Sequence, residues 1–136
     1  MRFCSIASGS SGNCIYVGSD NTHVLVDIGI SGKKMETGLN SLELTGRDLD
    51  GILITHEHSD HIKGLGVISR KYGIPIYATG GTVDAMMRTN ALGKIPEGIF
   101  HEIREDESFM INDLKVNPFT IPHDAAQPVG YRLEHD

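Results

Sequence analysis

The sequence has few cysteines and no long apolar run, and each shortage argues against a class of protein. It contains only two cysteines, Cys4 and Cys14, and they lack the CxxC spacing of a metal-binding or redox pair. No apolar run has the length of a membrane helix, and the first nine residues contain too few apolar side chains for a signal peptide. We therefore expect reduced thiols, no membrane partner and a cytoplasmic location.

Basic side chains are also scarce, since 12 Lys and Arg stand against 18 Asp and Glu and leave a formal net charge of −6. This balance argues mildly against a nucleic-acid groove, which normally uses clustered Lys and Arg. Bound metal ions would reverse the charge locally, so a nucleic-acid substrate stays compatible with it. The 136 residues are 39% hydrophobic and 22% charged, which predicts one globular domain over residues 1–136.

Three of the seven histidines lie within six residues, in the segment His56-Glu57-His58-Ser59-Asp60-His61. This segment directly follows the apolar run at residues 51–55. Residues two apart on an extended backbone point the same way, so His56 and His58 can reach one ion together. Asp60 and His61 come just after them and can reach a second point. Since imidazole and carboxylate groups are the usual ligands of zinc and similar ions, the segment predicts a metal site at the end of a strand.

An incidental histidine-rich tract is the alternative interpretation of this segment. Such tracts are typical of low-complexity polar linkers, whereas this one joins a buried strand to an amphipathic stretch.

His123 and Asp27 are further candidates for the same site. His123 follows an apolar strand, and a third imidazole beside His56 and His58 would leave a fourth metal position for water. The alternative is a loop histidine without a role. Asp27 ends an apolar strand, where it can support the ligands by accepting hydrogen bonds from their loop. It can also be only a turn-forming residue before Gly29.

A Ser/Gly-rich turn follows the first predicted strand. It can present backbone N–H groups to an anion, or it can be a plain hairpin connection. The residues of this possible anion-binding turn are Ser10, Ser11, Gly12 and Asn13.

The order of the predicted elements indicates an α/β (α+β) fold, a mixed sheet with helices packed on it. Strands are predicted at residues 2–7, 14–17, 23–28, 52–54, 76–78, 98–103, 108–111, 114–120 and 129–133. Helices are predicted around residues 35–42, 62–72 and 82–91. Ligands of such sheets collect at the strand ends, where the histidine segment lies.

The segment Thr55-His56-Glu57-His58-Ser59-Asp60-His61 resembles the HxHxDH signature of the metallo-β-lactamase superfamily. Asp27 and His123 fall where that superfamily has its earlier aspartate and its next histidine. Residues 8–14 and 122–131 are similar to the YycJ/WalJ-type branch, whose members are bacterial metal-dependent exonucleases that act on DNA.

The resemblance implies a four-layer αββα sandwich, of which this chain supplies roughly the first half as a partial domain. It implies two divalent metal ions, Zn or Mn, in the intact protein. His56, His58 and His123 would hold one ion and Asp60 and His61 the second, with Asp60 as the catalytic residue that orients the attacking hydroxide. The family pattern needs further ligands beyond His123. We therefore expect an N-terminal fragment that is itself inactive, holds one metal ion or none firmly, and self-associates through an exposed apolar sheet face.

The function that the resemblance favours is a phosphodiesterase or nuclease, with DNA as the nucleic-acid partner. Two alternatives stay open at this point. One is a thioester or lactone hydrolase of the same superfamily. The other is a metal-binding half-domain without catalytic activity.

Overall fold

The computed structural model describes residues 1–135, and its largest element is a mixed six-stranded sheet. Its strands, which lie side by side in chain order, are β1 (Arg2–Ala7), β2 (Cys14–Gly18), β3 (His23–Val26), β4 (Gly51–Leu53), β5 (Ile76–Thr79) and β6 (Phe100–Ile103). β1 to β3 pair antiparallel, whereas β3 to β6 pair parallel. The carboxyl ends of four parallel strands therefore meet at one edge of the sheet, which we call the carboxyl edge.

Helices join the parallel strands and pack on one face of this sheet. They are α1 (Gly32–Ser41), α2 (Ser59–Ile62), α3 (Leu65–Tyr72) and α4 (Gly80–Arg88), with a 3-10 turn at Gly46–Asp48. In α1, Met35 and Leu39 are fully buried, as their helical spacing predicts. The single helix predicted around residues 62–72 is instead divided between α2 and α3. The chain turns at Gly64, where a Cβ would lie 2.2 Å from the Ile30 carbonyl oxygen.

A second, antiparallel sheet covers the other face of the first. Its strands are β7 (Phe109–Ile111), β8 (Leu114–Thr120) and β9 (Val129–His135). The apolar side chains buried between the two sheets are Val17, Val24, Leu53, Ile111, Leu114 and Val116. The expectation of an uncovered apolar face is wrong over these residues, because the second sheet packs on them. Phe3, which pairs with Val17, is not covered by the second sheet and is 72% exposed. Self-association through this uncovered part of the apolar face stays a prediction.

The two sheets are also tied together at the edge opposite the carboxyl edge. Asp113, in the turn between β7 and β8, accepts hydrogen bonds from the hydroxyls of Ser19 and Thr22 in the turn between β2 and β3. His135, in β9, contacts the same carboxylate at 2.9 Å. We call these four residues the Asp113 cluster.

Helices, six-stranded sheet and three-stranded sheet form three successive layers. The α/β (α+β) class predicted from the sequence is therefore confirmed, with three of the four expected layers in this chain. Among residues 1–135, no helix is both long enough and apolar enough to cross a membrane.

Candidate metal centre

Three imidazoles converge at the carboxyl edge, and we call His56, His58 and His123 the histidine cluster. One ring nitrogen from each lies within 4.8 Å of the others. The ring centroid of His56 lies 4.7 Å from that of His58 and 4.4 Å from that of His123. Extended backbone after β4 presents His56 and His58 on one side, as the alternation in the sequence predicts. The structure thus brings together the three histidines that the sequence analysis assigned to one ion.

His123 reaches the cluster from the second sheet. β8 ends at Thr120, and a loop then carries His123 over the carboxyl edge before β9 begins. Two hydrogen bonds fix the start of β9 to the strand that delivers His56. The Val129 N–H donates to the Thr55 carbonyl at 2.9 Å, and the Tyr131 hydroxyl donates to the Ile54 carbonyl at 2.7 Å.

Asp27 supports the loop after β4 from below. Its carboxylate accepts hydrogen bonds from the Thr55 N–H at 2.8 Å and the Thr55 hydroxyl at 2.7 Å, and it contacts His61 Nδ1 at 2.6 Å. Asp27 is only 3% exposed and has a φ of 64°, a left-handed conformation that Asp tolerates better than most residues. The structure therefore places Asp27 where it can hold His61 in orientation, the supporting position that the sequence analysis gave it.

These hydrogen bonds assign the ring protons of two histidines. His61 donates its Nδ1–H to Asp27, and His56 donates its Nδ1–H to the Thr55 hydroxyl at 3.0 Å, since that hydroxyl donates its own hydrogen to Asp27. In their neutral forms both rings carry the free lone pair on Nε2. For His56 this lone pair faces the histidine cluster, and for His61 it faces Asp60.

Burial and neighbouring charges set the protonation of this region. Burial, followed by positive charge on His61, His123 and His58, lowers the pKa of His56 to about 4. Burial also raises the pKa of Asp27, against the bonds from His61 and Thr55 that lower it. Burial lowers the pKa of His61, but the hydrogen bond and charge of Asp27 outweigh it and leave the pKa above its ordinary value of 6.5. His56 is therefore neutral at pH 7, the form that binds metal.

Asp60 and His61 form a second pair beside the cluster, with Asp60 Oδ2 3.7 Å from His61 Nε2. Asp60 is partly open to solvent, with 34% of its side chain exposed. The backbone of this pair is held close to Gly29, since a Cβ at Gly29 would lie 1.7 Å from the Asp60 carbonyl oxygen. Only glycine fits there, which is a constraint that the sequence analysis did not identify.

The Ser/Gly turn meets the same pair through Asn13. The Asn13 side-chain amide lies 3.4 Å from Asp60 Oδ2 and 3.3 Å from His61 Nε2, and its backbone N–H donates to the Asp60 carbonyl at 2.8 Å. The Gly12 N–H donates within the turn to Gly9. Two of the four N–H groups considered for an anion are therefore already bonded within the protein. Ser10 and Ser11 are exposed, and an anion site there stays a prediction.

The donor set of the histidine cluster fits a divalent metal ion. His56 Nε2, which carries a lone pair, lies 3.1 Å from His123 Nε2, so the two nitrogens face each other either across the N–H of one neutral His123 tautomer or across a cation. The low pKa of His56 keeps its Nε2 unprotonated and available as a ligand. Three neutral imidazoles are a common protein ligand set for zinc in sites that keep a position open.

The chain has detectable relatives among known proteins. A profile of the metallo-beta-lactamase superfamily matches residues 7–132. The chain is 44% identical over 138 residues to a Bacillus anthracis protein named exodeoxyribonuclease YycJ, an alignment that covers 100% of this chain and 51% of that protein. It is 42% identical over 136 residues to exodeoxyribonuclease WalJ of Streptococcus pneumoniae, with the same coverage. The chain thus spans about half the length of these curated relatives.

Solved structures show the same fold at much lower identity. A subclass B3 metallo-beta-lactamase from a soil metagenome library, MEM-A1, superposes with a TM-score of 0.77 at 19% identity, over 98% of this chain and 55% of that one. The Rm3 metallo-beta-lactamase gives a TM-score of 0.77 at 20% identity. The superpositions establish the fold, whereas identities this low leave the substrate open.

Proposed function

Because the chain belongs to the metallo-β-lactamase superfamily, we propose that it contributes metal ligands to a hydrolase that cuts nucleic-acid phosphodiesters, with DNA as the substrate. His56, His58 and His123 bind one divalent ion, zinc or manganese, and Asp60 and His61 provide ligands for a second. The observation that carries this proposal is the convergence of three imidazole nitrogens within 4.8 Å at the carboxyl edge.

The chemistry divides between the ions and the side chains. Bound divalent ions supply Lewis-acid activation of water and of the phosphoryl group. The chain's own residues orient the reactants. Asp27 holds the His61 ring with its Nε2 toward Asp60. Asp60, partly exposed, accepts a hydrogen bond from the attacking water and turns it toward phosphorus.

DNA as substrate rests on the names of the relatives at 44% and 42% identity, of which this chain covers half. The net charge of −6 counts against nucleic-acid binding over the whole surface, and the two cations would offset it only at the site. A cytoplasmic location also stays a prediction.

The second pair offers only Asp60 and His61 as ligands among the described residues. We therefore expect this chain alone to bind no more than one ion firmly and to be inactive.

The experiment compares this chain with one that continues beyond Asp136. Both are offered double-stranded DNA, single-stranded DNA, RNA and a thioester, with manganese or zinc. We expect metal-dependent shortening of DNA by the longer chain, lost in Asp60→Ala and kept in Asp84→Ala, a change at an exposed aspartate of α4. Thioester cleavage with every nucleic acid intact would instead support the thioester hydrolase. Metal binding without cleavage by either chain would support a non-catalytic metal-binding domain.

A further inference from the structure

Glu57 lies between two of the cluster histidines but points away from them. Alternation along the extended backbone sends its side chain to the opposite side, toward the loop that carries His123. There Glu57 Oε2 accepts the Ala126 N–H at 3.0 Å. One short segment thus presents two imidazoles on one side and, on the other, holds the loop of the third.

His123 depends on its loop for its orientation. His56 is 4% exposed and is held by the packing around it, whereas His123 is exposed. The loop has a second anchor farther along, where the Gln127 carbonyl and side chain bond the hydroxyl of Thr79 and the N–H of Gly81 at the start of α4. The bond to Glu57 joins the His123 loop directly to the segment of His56 and His58.

The other carboxylate oxygen of Glu57 is an unsatisfied acceptor, a feature more typical of functional sites than of ordinary structural contacts. Oε1 is buried and has no hydrogen-bond partner among the described residues. A buried acceptor without a donor costs stability.

We propose that Glu57 is a positioning residue, which sets the distance of His123 from His56 and His58 through its bond to Ala126 and thereby strengthens metal binding. The inference rests on the proposed function, because it requires that the three histidines bind a metal ion. Residues that orient metal ligands typically change metal affinity by about 10–100-fold when they are lost. We place Glu57 at the lower end of that range, since Gln127 also holds the loop.

The test measures Co²⁺ and Zn²⁺ affinity of this chain by competition with a chromophoric chelator, together with the visible spectrum of bound Co²⁺. We expect Glu57→Ala to bind about tenfold more weakly with an altered Co²⁺ spectrum. Glu57→Gln keeps an acceptor for Ala126 and should bind within about twofold of wild type, and Glu97→Ala, a change at an exposed glutamate, should bind as wild type. The metal-free Glu57→Ala chain should melt at nearly the same temperature as the metal-free wild type, because the expected loss is in metal affinity and not in the stability of the fold.

A double-mutant cycle separates positioning from general damage. If Glu57 acts through His123, then adding Glu57→Ala to His123→Ala causes little further loss of affinity. Additive losses, or wild-type affinity in Glu57→Ala, would overturn the inference while leaving the proposed metal site intact. A wild-type chain that binds Co²⁺ no better than His56→Ala would overturn the proposed function, and this inference with it.

Discussion

Two polar clusters bridge the two sheets at opposite edges, and their hydrogen-bonding chemistry differs. In the Asp113 cluster a single carboxylate accepts from the hydroxyls of Ser19 and Thr22 and contacts His135. In the histidine cluster, one ring nitrogen from each of three imidazoles converges within 4.8 Å of the others. The first cluster surrounds one acceptor with donors, whereas the second brings three nitrogen ligands within reach of one ion.

The comparison separates a structural polar cluster from a binding site without reference to any relative. Both clusters join residues from the two sheets, and both lie in loops or at strand ends, so position alone does not distinguish them. The kind of group that converges does. A carboxylate surrounded by hydrogen-bond donors stabilises the fold, whereas three imidazoles whose ring nitrogens converge form a ligand set for a divalent cation.

The largest expected effect comes from removing two ligands at once. The double change His56→Ala and His58→Ala should abolish specific divalent-metal binding, because a lone His123 cannot hold zinc well. Elemental analysis of dialysed protein measures it, with His101→Ala as the control at an exposed histidine outside the cluster. Equal metal content in the double variant and in wild type would remove the distinction between the two clusters.

A smaller effect is expected from Asp27→Asn, which alters the support beneath the metal centre. Asp27 now accepts hydrogen bonds from donors on Thr55 and His61. The NH₂ of an amide side chain would face one of these donors, and two donors cannot form a hydrogen bond with each other. We expect metal affinity to fall by about 10–100-fold. Because Asp27 is 3% exposed, we also expect the free energy of unfolding to fall by about 1–3 kcal/mol.

Chelator competition and thermal melting measure the two effects of Asp27→Asn on the same samples. Asp84→Asn, at an exposed position of α4, is the matched control and should change neither quantity. Unchanged affinity in Asp27→Asn would mean that His61 keeps its orientation without the carboxylate.

The smallest effect is expected from Asp113→Asn, and it should touch stability alone. Bonds from Thr22, Ser19 and His135 lower the pKa of Asp113 to about 2, whereas an ordinary Asp has 3.8. Because the pKa is lower in the folded chain, the ionised carboxylate stabilises the fold above about pH 4, and this contribution disappears as the pH falls through about 2. The melting temperature of the variant should therefore lie below that of wild type at pH 5 to 7, and the difference should narrow toward pH 2.

Circular-dichroism melts at pH 7, 5, 3 and 2 test the Asp113 prediction. Metal content at pH 7 should equal that of wild type, since the Asp113 cluster lies at the opposite edge of the sheet. A loss of metal in Asp113→Asn would show that the two clusters are coupled through the sheets.

Local patterns in the sequence were sufficient for much of the fold and part of the site. The helical spacing of Met35 and Leu39 predicted α1, and alternation predicted that His56 and His58 point together. His123, 67 residues from His56, was tied to the cluster by resemblance and by its place after a strand. These features depend on periodicity or on a short motif, which are visible in any single stretch of chain.

Contacts between distant segments were not predictable in this way. The Asp113 cluster joins residues 94 and 91 positions apart, and nothing near Asp113 indicates its partners. The cover of the second sheet over the first was missed for the same reason, because strand periodicity shows which face is apolar but not what packs on it. For Asn13 and Glu57 the residue types were visible, while their contacts depend on how loops from different strands meet.

The delivery of His123 by the β8–β9 hairpin has a kinetic consequence. His56 and His123 meet across 67 residues, and contacts at such separations form late in folding because loop closure must come first. We therefore expect a bound ion to join two sheets whose contact is completed after the folding transition state. Interactions absent from the transition state slow unfolding and leave the folding rate nearly unchanged. We expect zinc to slow the unfolding of this chain and to leave its refolding rate nearly unchanged. Stopped-flow denaturant jumps with and without zinc measure both rates. A mainly faster refolding rate would show that the third ligand reaches the cluster early in folding.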